Sequence, residues 1–278
     1  MKTAKLILSV VLTVLAAMPL QARSKQKQDA PEPEIQSQWK GARVAFLGDS
    51  ITDKAQLESQ DIYWHQLVDI LGIEPYCYGI NGHSMNQIIG QAEKLEAEHG
   101  QDVDAIVVFV GTNDYNASLP MGEWYKVSSK VVDAFTSMKV ARLHRELVTD
   151  DHCFKGRINN TIKWLKSHYP TKQIIFLTPV HRGFAKFSEW NIQPDESYSN
   201  AQGLFIDDYV EAVKEAGNVW AVPVIDLNSI SGLYPNMDEH VRYFRNSDTD
   251  RLHPNTEGHR RMAYSLAYQL LGYPARLD

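Results

Sequence analysis

The sequence predicts an α/β fold, a three-layer α/β/α sandwich around a five-stranded parallel sheet. Five short runs rich in β-branched and aromatic residues, Val44–Leu47, Tyr76–Ile80, Ala105–Val110, Gln173–Thr178 and Val219–Ile225, alternate with segments of helical period. The middle run, AIVVFV, is apolar at every position. A strand of that kind is buried on both faces, as in a parallel sheet covered by helices. Strands and helices in alternation imply right-handed crossovers, which place helices on both faces.

At the start of the chain, Lys2 and Lys5 precede an apolar run from Leu6 to Leu20, and Ala22 offers a small residue for cleavage. This is the layout of a signal peptide over residues 1–22, so a secreted or periplasmic protein is expected. The run is shorter than the ~20 residues that span a bilayer, and no later stretch is long and apolar enough, so no stable membrane insertion is expected. Residues 23–40 are polar and proline-bearing and read as a flexible leader to a domain over 41–278. Cleavage after Ala22 leaves 278 − 22 = 256 residues and, with two lysines gone, a net charge of −6 − 2 = −8. That length suits one α/β domain. An acidic chain without a basic run argues against nucleic acid as a partner.

Between the strand runs, DIYWHQLVDILG sets Ile62, Leu67, Ile70 and Leu71 largely on one side and closes at Gly72. Ser84 is placed to cap the next helix, which runs to about Glu98. Phe154, Ile158, Ile162 and Leu165 share a helical face that stops at Pro170, and a further helix fits Ala201–Ala216. Asn255 caps the last helix, which reaches Leu271 and is ended by Gly272 and Pro274. Residues 115–150 lack a clean period. They form an insertion, hairpin or helix, of the length used for lids and binding loops. The two cysteines, Cys77 and Cys153, allow one bridge or two buried thiols. Neither Cys-x-x-Cys nor His-Glu-x-x-His occurs, so no metal and no cofactor are expected.

Ligands of open parallel sheets bind beyond the carboxyl ends of the strands. There the sequence places Gly48-Asp49-Ser50, then Gly79 to Ser84, then Gly111-Thr112-Asn113-Asp114, then His181 and Arg182, and, ahead of the last helix, Asp250 to His253. Ser50 alone is equally a turn serine. Asp250 and His253, three residues apart, supply the missing parts: an orienting carboxylate and a base, the division of labour of a Ser-His-Asp triad. A developing oxyanion needs donors, which the backbone N–H groups of Ser50 and Gly82 and the side-chain amide of Asn113 can provide. Asp49 and Asp114 read as loop braces.

Taken together, the blocks GDSIT, GINGHS, GTND and DRLHPN resemble those of the SGNH (GDSL-like) hydrolases, from Arg43 to Leu271. The resemblance implies Ser50 as nucleophile, Gly82 and Asn113 as oxyanion donors, and Asp250 and His253 as the other triad members. It also implies a flavodoxin-like sheet of order 2-1-3-4-5 and ester hydrolysis through an acyl-enzyme without a cofactor. One departure, Ile51-Thr52 where the name-giving motif has leucine, does not touch the chemistry.

For the substrate, the loops carry aromatic residues, Trp124, Phe187, Trp190 and Tyr198 among them, whose faces suit sugar rings. No long exposed apolar stretch suited to a lipid surface is evident. The expected substrate is therefore a small-molecule or oligosaccharide ester, with a carbohydrate O-acetyl esterase first and a lipase or lysophospholipase second. His181, Arg182 and Trp124 are the expected substrate contacts. Two rival classes fare worse. A phosphatase using Asp49 as nucleophile would want a second acid where Ile51 stands. A non-catalytic carbohydrate-binding module on the same fold has no need of this full set of residues.

Overall fold

Residues 37–58, 61–135 and 138–277 are described by the structure, a computed structural model. The predicted signal peptide and residues 23–36 of the predicted leader lie outside them. The last leader residues are not a flexible strand of chain: Trp39 is fully buried, and its indole N–H donates to the Leu270 carbonyl at 2.7 Å. Gln38 donates to the carbonyls of Leu271 and Tyr273, so the packed domain begins ahead of the predicted boundary at 41.

From there the chain runs β1 (Arg43–Gly48), α1 (Tyr63–Leu71), β2 (Glu74–Cys77), α2 (Ile88–His99), β3 (Ala105–Phe109) and α3 (Thr112–Asn116). A hairpin follows, β4 (Tyr125–Ala134) and β5 (Met138–Leu147), then α4 (Phe154–His168) and β6 (Gln173–Leu177). The last third holds β7 (Ala185–Ser188), β8 (Asn191–Gln193), α5 (Ile206–Trp220), β9 (Val224–Ile225), α6 (Leu227–Ile230), β10 (Phe244–Asn246), β11 (Asp250–Pro254) and α7 (Thr256–Leu270).

The central sheet is five-stranded and parallel in the order β2-β1-β3-β6-β9. Counting only its own strands in chain order, this is the expected 2-1-3-4-5. Alternation along each strand divides the core in two. Val44, Phe46, Val107, Ile175 and Leu177 face one side with the apolar stripes of α1 and α7. Ala45, Leu47, Ile106, Val108 and Phe176 face the other with α2, α4 and α5.

Three elements depart from the expected boundaries. The second strand is centred earlier, at Glu74–Cys77. Val219 and Trp220, read as strand, form the last turn of α5, which Ala221 closes in the left-handed region at φ 51°. That helix starts at Ile206, not Ala201, because the Asn200 side chain accepts from the backbone of Gln202 and Leu204 and folds 200–204 into a turn. The 115–150 insertion is mostly the β4–β5 hairpin, paired from Tyr125↔Leu147 to Ala134↔Met138. It exposes Val127, Val131, Phe135 and Leu143, apolar side chains spread over its two strands and their turn that the search for one long apolar stretch did not pick out. Cys77 and Cys153 are both free thiols.

A second sheet, absent from the sequence reading, is antiparallel in the order β10-β11-β7-β8. Asn246 opens its β10–β11 turn by accepting from the backbone of Asp248 and Thr249. This sheet carries Asp250 and His253 against the carboxyl ends of the parallel strands.

Candidate active site

At the end of β1 the Asp49 carbonyl accepts from the N–H groups of Thr52 and Asp53, and its carboxylate accepts from Ile51 at 3.0 Å. This tight turn sets Ser50, 6% exposed, at the floor of a cavity of about 310 Å³. The Ser50 hydroxyl lies 2.9 Å from Nε2 of His253. On the far side of the ring, Nδ1 lies 3.0 and 3.1 Å from the two Asp250 carboxylate oxygens. Asp250 also accepts from the backbone N–H of Leu252 and His253, which fixes the carboxylate under the ring. Burial alone would raise its pKa. The hydrogen bond and charge of His253, the backbone N–H and the Arg245 charge outweigh that and hold it below the ordinary value.

Gly82 and Asn113 line the same cavity as Ser50 and His253. Gly82 sits at φ +79°, a conformation that favours glycine, and a Cβ there would point into open space. One N–H of the Asn113 amide donates to the His83 carbonyl at 2.9 Å, which aims the group and leaves its second N–H available. The Gly82 loop is tied from three sides. The backbone of Asn81 donates to Asp53, that of Met85 donates to Asp114, and Gln91 bonds His83 and both backbone groups of Gly48. Asp114, completely buried, is held in turn by Arg157 at 2.7 Å.

The structure corrects the expected substrate contacts. Trp124 is buried against α4 and α5, its indole N–H donating to Glu215, and does not line the cavity. Arg182 is 1% exposed: it donates to Thr112 and to Gln193, and packs over the Tyr115 ring. Burial pushes its pKa down to about 10. It therefore positions Gln193, which does line the cavity, but cannot itself reach a ligand there. His181 pairs with Glu196 outside the cavity, and this partner raises its pKa. The sequence reading missed Gln56, Asn81, Asn191, Gln193, Arg245 and Leu252 in the lining. Asparagine and glutamine in loops carry no periodic signal, and only the second sheet brings most of them together.

Asp49 shows how the turn is charged. Burial drives its carboxyl up to about 7, with Asp114 adding to the rise and the Ile51 N–H and Arg182 opposing it. A folded pKa above the ordinary 3.8 means that this group favours folding below about pH 4, an advantage lost as pH rises through about 7. Asp49→Asn, which keeps the oxygen that accepts from Ile51, is expected to raise Tm more at pH 8 than at pH 4. Thermal melts at the two pH values test this, and equal shifts would contradict it.

No helix among the described residues is long and apolar enough to cross a membrane. Among them, no group of three or more histidine, cysteine or carboxylate side chains is placed to hold a metal ion.

Comparison with solved structures finds the same fold in several bacterial proteins. A protein from Lactobacillus plantarum matches with TM-score 0.63 at 24% identity, over 84% of this chain and 98% of its own. A "possible lipase" from Chitinophaga pinensis matches with TM-score 0.61 at 19% identity, over 82% and 97%. A catalytic mutant of an acetylxylan esterase from Geobacillus stearothermophilus matches with TM-score 0.50 at 16% identity, over 88% and 100%. Comparison with curated protein sequences finds no match. The sequence profile of the GDSL-like Lipase/Acylhydrolase family matches residues 46–261, which runs from the strand that precedes Ser50 into the helix that follows His253. The chain belongs to that family, whose members are carboxylic ester hydrolases.

Proposed function

We propose that the protein is a carbohydrate O-acyl esterase, removing acetyl or similarly small groups through an acyl-enzyme on Ser50. The observation that carries this reading is the cavity lining. Gln56, Asn81, Asn113, Asn191 and Gln193 present five side-chain amides, and the Phe187 ring stands 5.4 Å from that of His253. Amides can each donate and accept, which suits sugar hydroxyls, and an aromatic face suits the apolar side of a pyranose. A cavity of about 310 Å³ has room for a short acyl group and part of a sugar. The fold it shares with an acetylxylan esterase is in keeping with this.

In this reading Ser50 Oγ attacks the ester carbonyl while His253 Nε2 takes its proton and Asp250 steadies the resulting imidazolium. The carbonyl oxygen becomes an oxyanion facing the N–H groups of Ser50, Gly82 and Asn113. Collapse breaks the ester C–O bond, and the leaving sugar oxygen takes the proton from His253. Water, deprotonated by His253, then attacks the acyl-enzyme and frees the acid and Ser50. Asn113→Ala should lower kcat by about 10²–10³ if its amide binds the oxyanion, and an unchanged kcat would remove it from that role.

One observation favours the lipase reading: the hairpin exposes Val127, Val131, Phe135 and Leu143. A substrate panel separates the two. Acetylated oligosaccharides should be cleaved, and long-chain acyl esters and phospholipids should not, with Ser50→Ala as the blank; the opposite pattern selects the lipase. Export of the protein belongs to the same proposal and rests on the layout of residues 1–22. A mature N-terminus that still contains Met1 would overturn it.

A further inference from the structure

The cavity holds one charged side chain, beyond the triad, that binding of a neutral sugar does not require. Arg245 lines it together with Ser50 and His253. Its place is fixed by the fold: it sits in the middle of β10, whose neighbour Asn246 pairs with Asp250 on β11. Its guanidinium donates to the side-chain oxygen of Gln56, a neutral group that also lines the cavity. Among the described residues no carboxylate comes within ion-pair distance of it. The acid it senses most, Asp250, is already committed to the His253 ring and to two backbone N–H groups. Arg245 is exposed to solvent along part of its side chain, and burial of the remainder draws its pKa below the ordinary value.

A cation with unused donors, lining the same cavity as a nucleophile, discriminates between ligands. It binds an anion with charge-assisted and often paired hydrogen bonds, and gains little from a neutral hydroxyl. The rest of the chain sharpens the point. At net charge −6 it would repel an acidic ligand at long range, so attraction for such a ligand must be local.

We propose that Arg245 is a specificity-determining residue, and that the preferred substrate is an O-acylated sugar that carries a carboxylate close to the scissile ester, as in a uronic-acid unit. This rests on the carbohydrate reading above and narrows it. The carboxylate takes the open donors of Arg245 while Gln56 holds the guanidinium through its side-chain oxygen. The ester carbonyl then falls between Ser50 and the N–H groups of Gly82 and Asn113.

The test compares two probes: an acetylated oligogalacturonate, and the same oligomer with its carboxyl groups reduced to hydroxymethyl. The wild-type enzyme is expected to show kcat/KM about tenfold or more higher for the acidic probe, chiefly through KM. Arg245→Gln should bring that ratio close to one, and Arg245→Lys should retain part of it. General damage to the site lowers both rates together and leaves the ratio alone, so the ratio reports the charge. Equal wild-type rates on the two probes would overturn the role of Arg245 and leave the carbohydrate reading standing. Cleavage of long-chain acyl esters with neither sugar probe touched would overturn both.

Discussion

Ser50→Ala is expected to abolish hydrolysis of a short-chain aryl ester, lowering kcat by about four to six orders of magnitude, while the protein stays folded. The size follows from the shared job of three groups. The hydroxyl is 2.9 Å from His253, and the ring is 3.0 Å from Asp250, so removing Oγ leaves the imidazole with no proton to accept. What survives is binding and the oxyanion donors. Stability should barely change, because among the described residues the Ser50 hydroxyl has no hydrogen-bond partner besides His253, and an alanine fits the same turn. Initial rates measured beside a thermal melt decide the matter. Activity at the wild-type level would eliminate Ser50 as the nucleophile. Loss of activity with a collapsed melt would mean that the turn, not the chemistry, had been broken.

The parts of this site that were legible in the sequence are those written into short blocks at strand ends. GDSIT follows an apolar run, so Ser50 could be set on the rim of a sheet before any coordinates. DRLHPN holds its acid and base three residues apart, so their contact is local. Gly82 and Asn113 follow the next two strands in order. The sheet order was legible for the same reason, since crossovers of one hand leave few topologies. The illegible part is long-range. Arg245, Asn191 and Gln193 reach the cavity only because β10, β11, β7 and β8 pair across some sixty residues of chain, and such short, polar strands announce no period. Arg182 failed as a substrate contact because its position on the rim says nothing of whether the side chain turns outward or inward. Val219 and Trp220 favour strands by residue type, but the amphipathic stripe of α5 packs them as its last turn.

Asp114→Ala is expected to destabilise the fold by about 3–5 kcal/mol and, in the protein that remains folded, to slow catalysis without touching any reacting group. Asp114 is fully buried, and among the described residues its carboxylate is held by Arg157, whose side chain is also largely buried, and by the backbone N–H of Met85. Burial holds its pKa above the ordinary value in spite of both partners, so the pair does not earn its place through net stability. Its removal is nevertheless severe, because a guanidinium and an amide N–H are left without their acceptor in a dry interior. Met85 lies two residues beyond His83, whose carbonyl aims the Asn113 amide, and it follows the loop that carries Gly82. Loss of the brace therefore loosens both proposed oxyanion donors at once. Asp114→Asn keeps an oxygen for Met85 but not the charge for Arg157, and should fall between the wild type and Asp114→Ala in both respects. Urea unfolding gives the stability of each variant, and kcat measured well below its transition gives the catalytic part. If Asp114→Ala unfolds as predicted but the folded fraction keeps the wild-type kcat, the brace supports the fold alone and the oxyanion loop holds its shape without it.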